Sequence, residues 1–378
     1  MNTNTYFSAT YDEARERFLA SAHRQQAVIA HHQHPTARGP QGQPLFLDTA
    51  WVGPRDAHAV LVTASGTHGA EGFAGSAAQL AWLSERGQAS LPPGVALLMI
   101  HAVNPYGFAW GLRGTHDNVD LNRNWLDFSE ACPENTLYEQ IHPYLCPAEI
   151  KPSTVNRLME EGARLIAKYG RWALEDAISR GQYTHPDGFH YGGAHPDWSR
   201  TVLEEVFQKE LRHAPRIGFI DWHTGPVGNG ELIYLCFSSP QSRQWQEAQR
   251  WWGPDALDPA KVDRLWGSKR PSRVGIMFWG LEKLVAPAGD LVGGIIEFRS
   301  AQPKANSIDA LKISMLERWL RFEGGFDAPE AAHYFALLQN EYAPSRESWR
   351  AAVLQNGLTA YDQTLAGLAR WGLASAAD

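Results

Sequence analysis

The chain has 378 residues, 44% of them apolar and 20% charged, with a formal net charge of −7 and a pI near 6.1. An acidic balance of this kind argues against a nucleic-acid or anionic-membrane partner and leaves small substrates open. No apolar run reaches membrane-spanning length, the charged first twenty residues lack a secretory apolar stretch, and Cys132, Cys146 and Cys236 form no disulfide framework, so a cytoplasmic protein with free thiols is expected.

Residues 7 to 32 read as an amphipathic helix capped by Ser8 or Thr10, followed by a Gly/Pro-rich loop from Pro35 to Gln43. Strands are expected near Leu45–Thr49, Ala59–Thr63 and Val95–Ala102. A helix at about 73–83 lies between the last two, which makes a βαβ unit and an at least partly parallel sheet. Residues 130 to 150 read as irregular loop. Val155–Arg180 reads as one helix ending at Gly181, and Ser199–Arg212 as another ending before Pro215. Strands return at Ile217–Asp221, Leu232–Phe237 and Leu291–Ile296, around a polar, helical and loopy stretch at 240–275. Three helical pieces, near 307–321, 328–341 and 346–371, complete the chain. With no repeat or linker in sight, one domain over 1–378 is expected, with a helical insert at about 131–215 and a helical extension at about 301–378.

Four polar clusters each follow an apolar strand: His68 with Glu71, the stretch Arg113 to Asn124, Asp221 with His223, and Glu297 with Arg299. In a parallel sheet the carboxyl ends of strands gather on one edge, so residues far apart in sequence can meet there. Alone, His68-x-x-Glu71 is a weak signal. With His223 it supplies the two imidazoles and one carboxylate of a catalytic zinc site, leaving a position for water. Glu297 ends an apolar strand, where a charge is costly without a task, and fits a general base; the bland alternative is a salt bridge to Arg299. Arg113 suits polarisation of a scissile carbonyl. Asn122 and Arg123 suit a clamp on a substrate carboxylate. For both arginines the alternative is a structural pair with Asp117, Asp120 or Asp127. Asp221, two residues before His223, is placed to orient that imidazole. His101 and His116 read as structural.

The ordered set His68-x-x-Glu71, Asp120-Leu-Asn-Arg-Asn-Trp125, His223 and Glu297 resembles the zinc carboxypeptidase family. Closer still is a bacterial branch known as a domain of unknown function, whose Gly-Thr-His-Gly-x-Glu-Gly, Asn-Pro-x-Gly and Asp-Trp-His-Thr-Gly segments are matched here. The resemblance covers roughly residues 45 to 300. It implies an α/β fold with a mixed, mainly parallel eight-stranded sheet between helices. It also implies one Zn²⁺ on His68, Glu71 and His223, with Glu297 as base, Arg113 as carbonyl polariser, and Asn122 and Arg123 as clamp. Two departures stand out. No tyrosine lies between Tyr234 and Tyr334, where carboxypeptidases carry a mobile one, so Tyr183 or Tyr191 is a candidate for that role. Arg113 stands seven residues before Asp120, nearer the spacing of the related aspartoacylase and succinylglutamate desuccinylase group. The expected activity is therefore a metallocarboxypeptidase acting on peptides. Its alternatives are an amidohydrolase of N-acyl amino acids and a zinc-binding protein without catalysis. A homo-oligomer is compatible with all three.

Overall fold

The computed structural model describes residues 3–225, 230–258, 272–286, 289–299 and 307–371. Among them seven strands form one sheet: β1 (Val28–Arg38), β2 (Pro44–Val52), β3 (Ala59–Ser65), β4 (Val95–His101), β5 (Arg216–Gly225), β6 (Leu232–Cys236) and β7 (Asp290–Arg299), in spatial order β1-β2-β4-β3-β5-β7-β6. The four central strands run parallel, and β2 and β6 flank them antiparallel, with β1 antiparallel outside β2. The count is seven where eight were expected, and the sheet is mixed as expected.

β3 and β4 are buried over their whole length, as parallel strands covered on both faces must be. Their side chains alternate between two cores. Leu61, Leu97 and Val292 face a core built with helices Gly72–Glu85, Arg243–Trp252 and Glu347–Trp371. Val62, Leu98 and Phe219 face another, built with helices Trp198–Glu210 and Met277–Val285. The last helix, Glu347–Trp371, is thus part of the main core. No described helix is long and apolar enough to cross a membrane.

Three segments depart from the sequence reading. The first helix covers only Tyr11–Arg24, with Thr10 accepting from the Glu13 amide, and residues 28–38 form an edge strand. That strand carries His31, His32, Gln33 and His34 and has no apolar alternation, because His32 and His34 rather than apolar residues fill its half-buried positions. Its Pro35 falls where the register with β2 slips, a place an edge strand tolerates proline. Residues expected as loop include helix Thr136–Leu145, capped by Asn135 and carrying Pro143 inside it. The long helix expected at 155–180 is two, Pro152–Tyr169 and Arg171–Ser179, broken at Gly170, whose φ of 86° ends the first. The part of the expected 240–275 region at 259–271 lies outside the described residues.

Candidate metal centre

The site grows from the carboxyl ends of β3, β5 and β7, which are neighbours and parallel. Ser65 ends β3, and the chain turns through Gly66 (φ 71°) into the short turn Gly69–Glu71. A Cβ on Gly69 would stand 1.9 Å from the Gly107 carbonyl carbon, so this position admits only glycine. The close approach locks the His68–Glu71 turn to helix Pro105–Trp110. Asn104 caps that helix through the Gly107 amide at 2.8 Å and donates to the Arg113 carbonyl at 3.1 Å. The Ala70 amide donates to the Leu112 carbonyl at 2.9 Å. The turn with the ligands and the segment carrying Arg113 are therefore one hydrogen-bonded unit.

His68, Glu71 and His223 come together and are all buried. His68 Nδ1 is 3.0 Å from Glu71 Oε1, and His223 Nδ1 is 3.0 Å from Glu71 Oε2, which also accepts from the Thr224 amide at 2.9 Å. The outward nitrogens meet carboxylates as well. His68 Nε2 is 3.1 Å from Asp120 Oδ1, and His223 Nε2 is 2.6 Å from Asp221 Oδ2. A neutral imidazole donates through one nitrogen only. Each ring here has a carboxylate at both nitrogens, which asks either for an extra proton or for a cation between the rings and Glu71. Burial opposes charge on the His223 imidazole, yet Asp221 and Glu71 push it up to about 10. For Glu71 burial works upward, and His68 and His223 outweigh it and hold the carboxyl well below the carboxylate range. The donor set fits a divalent ion, with the Nδ1 atoms aimed inward and the Nε2 atoms anchored.

Asp221 orients His223 as expected and is itself held by the Thr67 hydroxyl at 2.6 Å. Asp120, read from sequence only as a partner for an arginine, does the same for His68. It also accepts from Arg113 Nε at 3.1 Å and lies 3.1 Å from His190 Nδ1. Burial opposes ionisation of Asp120, but Arg113 and His68 hold it well below the usual range. Arg113 additionally donates to Glu71 at 3.3 Å, and its side chain keeps 25% exposure. The pairing of Arg113 with Asp120 is thus real, and it leaves the guanidinium beside Glu71.

Glu297 pairs in register with His223 on the adjacent strand. Its Oε2 is buried, has no hydrogen-bond partner among the described residues, and lies over Gly225, where a Cβ would stand 2.3 Å from it. Burial pushes its carboxyl up, against the pull of His223 and with the push of Glu71. Arg299 pairs with Glu231 at 2.9 Å.

The two residues expected to form a clamp have other partners in hand. Asn122 donates to Asp221 at 3.2 Å and accepts from the Met277 amide at 3.0 Å. Arg123 donates to the carbonyls of Asn122 and Ser179 at 2.6 and 2.5 Å, while its Nε is buried without a partner among the described residues. Burial lowers it to about 10, with Arg273 and Arg113 adding to the effect. Tyr183 is engaged too, its hydroxyl donating to the Arg123 carbonyl at 2.7 Å. His101 and His116 are placed as structural groups: His101 is stacked on Phe18 with Nε2 2.9 Å from the Ser76 hydroxyl, and His116 contacts Asp117.

Sequence reasoning missed two contributors from the C-terminal helices. Glu317, on helix Ser307–Trp319, accepts from the Arg113 amide at 2.6 Å and from that of Gly114 at 3.4 Å. Tyr342 ends a helix that packs on the Gly69–Glu71 turn. Burial raises its phenol well above the usual range, and its other electrostatic neighbours are Glu317, Arg113 and Glu71. No spacing in the sequence ties either residue to the motifs.

The family model described as "Protein of unknown function (DUF2817)" matches residues 7–356. No curated protein matches the chain in sequence. Among solved structures, bovine thrombin-activatable fibrinolysis inhibitor in complex with tick carboxypeptidase inhibitor is 11% identical at a TM-score of 0.48, covering 95% of this chain and 98% of that one. A metallo-carboxypeptidase from Burkholderia cenocepacia is 13% identical at 0.42, covering 94% and 69%. A succinylglutamate desuccinylase from Chromobacterium violaceum is 15% identical at 0.35, covering 80% and 72%. At such scores these likenesses carry no weight of their own.

Proposed function

We propose that the chain, which belongs to the DUF2817 family over residues 7–356, is a zinc-dependent hydrolase that cuts an amide bond next to a free carboxylate. In its simplest form it is a metallocarboxypeptidase acting on peptides. The observation that carries this reading is the double anchoring of the two imidazoles, Nδ1 toward Glu71 and Nε2 on Asp120 and Asp221. A zinc ion held by His68, Glu71 and His223 would acidify a water and draw charge from a carbonyl.

The chain's own groups supply the rest. Glu297, one strand over from His223, has an unpartnered oxygen and a raised pKa, which suits a carboxylate that takes a proton from water and passes it to a departing amine. Arg113, fixed by Asp120 and by the Glu317 clasp on its backbone, offers its remaining N–H groups to an oxygen that gains charge. Arg123 keeps one buried N–H without a partner, so a carboxylate that reaches it gains a donor otherwise wasted. The commitment of Asn122 to Asp221 and Met277 favours a second reading, removal of an acyl group from an amino acid whose carboxylate is gripped elsewhere.

The test is the zinc-loaded chain offered a panel of peptides and a panel of N-acyl amino acids, with products identified by mass spectrometry. Release of C-terminal residues supports the proposal. Clean deacylation without such release moves the assignment to the second reading. Bound zinc with neither activity overturns both in favour of a zinc-binding protein.

A further inference from the structure

We infer that His190 is a substrate-recognition residue: Asp120 fixes its imidazole beside Arg113, and its Nε2 accepts the N–H of the residue on the acyl side of the scissile bond. The substrate class that fits is a peptide, whose acyl side carries that N–H, and not an amino acid bearing a plain acyl group. The inference deepens the hydrolase reading above and rests on it.

His190 stands in the loop after helix Arg171–Ser179 with φ at 50°, left-handed backbone that a residue with a Cβ rarely adopts. Its neighbours hold it there. The Gln182 amide donates to the His190 carbonyl at 3.2 Å, the Asp120 amide to the Tyr191 carbonyl at 2.7 Å, and the Phe189 amide to the Tyr138 hydroxyl at 2.6 Å. Strain of this kind persists only where the surroundings over-determine it, and it is found where a side chain has to be aimed. Here it aims Nδ1 at Asp120 Oδ2, 3.1 Å away.

Asp120 has no need of that contact. Its Oδ1 accepts from the Asn122 amide at 3.0 Å and lies 3.1 Å from His68 Nε2, while its Oδ2 accepts from Arg113 Nε and Nη2, each at 3.1 Å. Those groups already fill the roughly four lone-pair positions of a carboxylate. The contact serves the imidazole instead. A carboxylate only accepts, so Nδ1 carries the proton and Nε2 of the neutral ring keeps a lone pair. Burial opposes a second proton, and Arg113 and Arg123 add to it against the pull of Asp120. Nε2 has no partner among the described residues and, in a side chain 18% exposed, is open to an incoming group.

Because His190 and Arg113 share Oδ2, no more than twice 3.1 Å separates their bonded nitrogens. Arg113 is the group offered to the carbonyl oxygen. In a peptide the N–H of the acyl residue is one carbon from that carbonyl, so its nitrogen lies about 3 Å from the oxygen. With a hydrogen bond of about 2.9 Å at each end, a single residue bridges Arg113 and His190. An acetyl or succinyl group puts carbon where the N–H belongs, and Nε2 then loses water without gaining a donor.

The experiment uses the full zinc-loaded chain carrying Glu297→Gln to block turnover, with calorimetry on two probes. One is acetyl-alanyl-phenylalanine; the other is acetyl-lactyl-phenylalanine, in which an ester oxygen replaces the alanine N–H. The N–H probe should bind about tenfold tighter or better. Adding His190→Asn should narrow that preference to within about threefold, since asparagine tolerates the left-handed backbone and still donates to Asp120 but lacks the second nitrogen. Far-ultraviolet circular dichroism checks the fold, and the preference measured with His190 in place is a test that needs no folded variant. Equal affinity for the two probes, binding of neither, a preference that survives His190→Asn, or equal weakening of both probes by it overturns the inference. Failure of the hydrolase reading looks different: wild-type chain cleaves no substrate, while the preference and its loss persist.

Discussion

Replacing Glu297 by glutamine separates a catalytic carboxylate from a structural one, because the two roles give opposite signs. Oε2 is buried with no donor among the described residues, next to Gly225 and in register with His223. Leaving a buried polar oxygen unsatisfied costs about 1–3 kcal/mol, and more when it carries charge. Glutamine removes the charge at nearly constant shape, so the metal-stripped Glu297→Gln chain should be more stable than the wild type by about that amount. For a chain of this size 1 kcal/mol corresponds to roughly 1 °C in Tm, so the gain should be about 1–4 °C. Catalysis should move the other way, with kcat falling by about 10²–10⁴ if the carboxylate transfers the proton. The assay pairs thermal melts of stripped protein with kcat on the best substrate of the peptide panel, and zinc content is checked to be unchanged. A fall in Tm would mean that Glu297 has a structural partner, and activity within tenfold of wild type would remove it as the base.

Further outcomes follow from the surroundings of the centre. Asp120→Asn and Asp221→Asn each remove an anchor from a ligand imidazole and should weaken zinc binding by about 10–100-fold, as read by competition with a chromophoric chelator; unchanged affinity would mean that the anchors do not set the ligands. Glu317→Ala should lower kcat through Arg113, with Glu317→Gln retaining most of the activity because an amide oxygen still accepts the two backbone N–H groups. Equal loss in both would show that charge rather than the clasp matters. His101 supplies a pH test. Burial pushes its imidazole down from 6.5 to about 4. Between those values the unfolded chain holds a proton that the folded chain does not, so stability falls as the pH drops through that window, by about 1.4 kcal/mol per pH unit for this group. His101→Gln should flatten the slope of unfolding free energy against pH by that share, and an unchanged slope would place the lost proton elsewhere.

The parts of this protein legible in its sequence are those where local chemistry and position coincide. His68, Glu71, His223 and Glu297 each follow an apolar strand, and parallel strands bring such ends together whatever lies between. Six of the seven strands announce themselves through apolar runs. β1 does not, because histidines at its half-buried positions leave it without a hydrophobic period. Helix Thr136–Leu145 is masked by its Pro143, and the break at Gly170 depends on a single positive φ. Asp120 was visible as a residue but not as the anchor of His68. Glu317 and Tyr342 were invisible as site residues, since only the path of the last helices brings them to Arg113. Asn122 and Arg123 show the converse limit: their chemistry suits a clamp, while Asn122 is taken by the Asp221 carboxylate and the Met277 amide and Arg123 by two backbone carbonyls that no pattern records.

The helix Glu347–Trp371 has a practical corollary for anyone cutting this protein by its family boundary. The family match stops at residue 356, partway along the helix. Beyond that point Leu358, Tyr361, Leu365 and Leu368 remain buried, and the Tyr361 hydroxyl donates to Thr63 in the strand that leads to His68. A fragment ending at 356 would bare a strip of the sheet's inner surface and unseat the strand behind His68 and Glu71. Aggregation of such a fragment would report a missing wall, and its inactivity would say nothing about the chemistry of the intact chain.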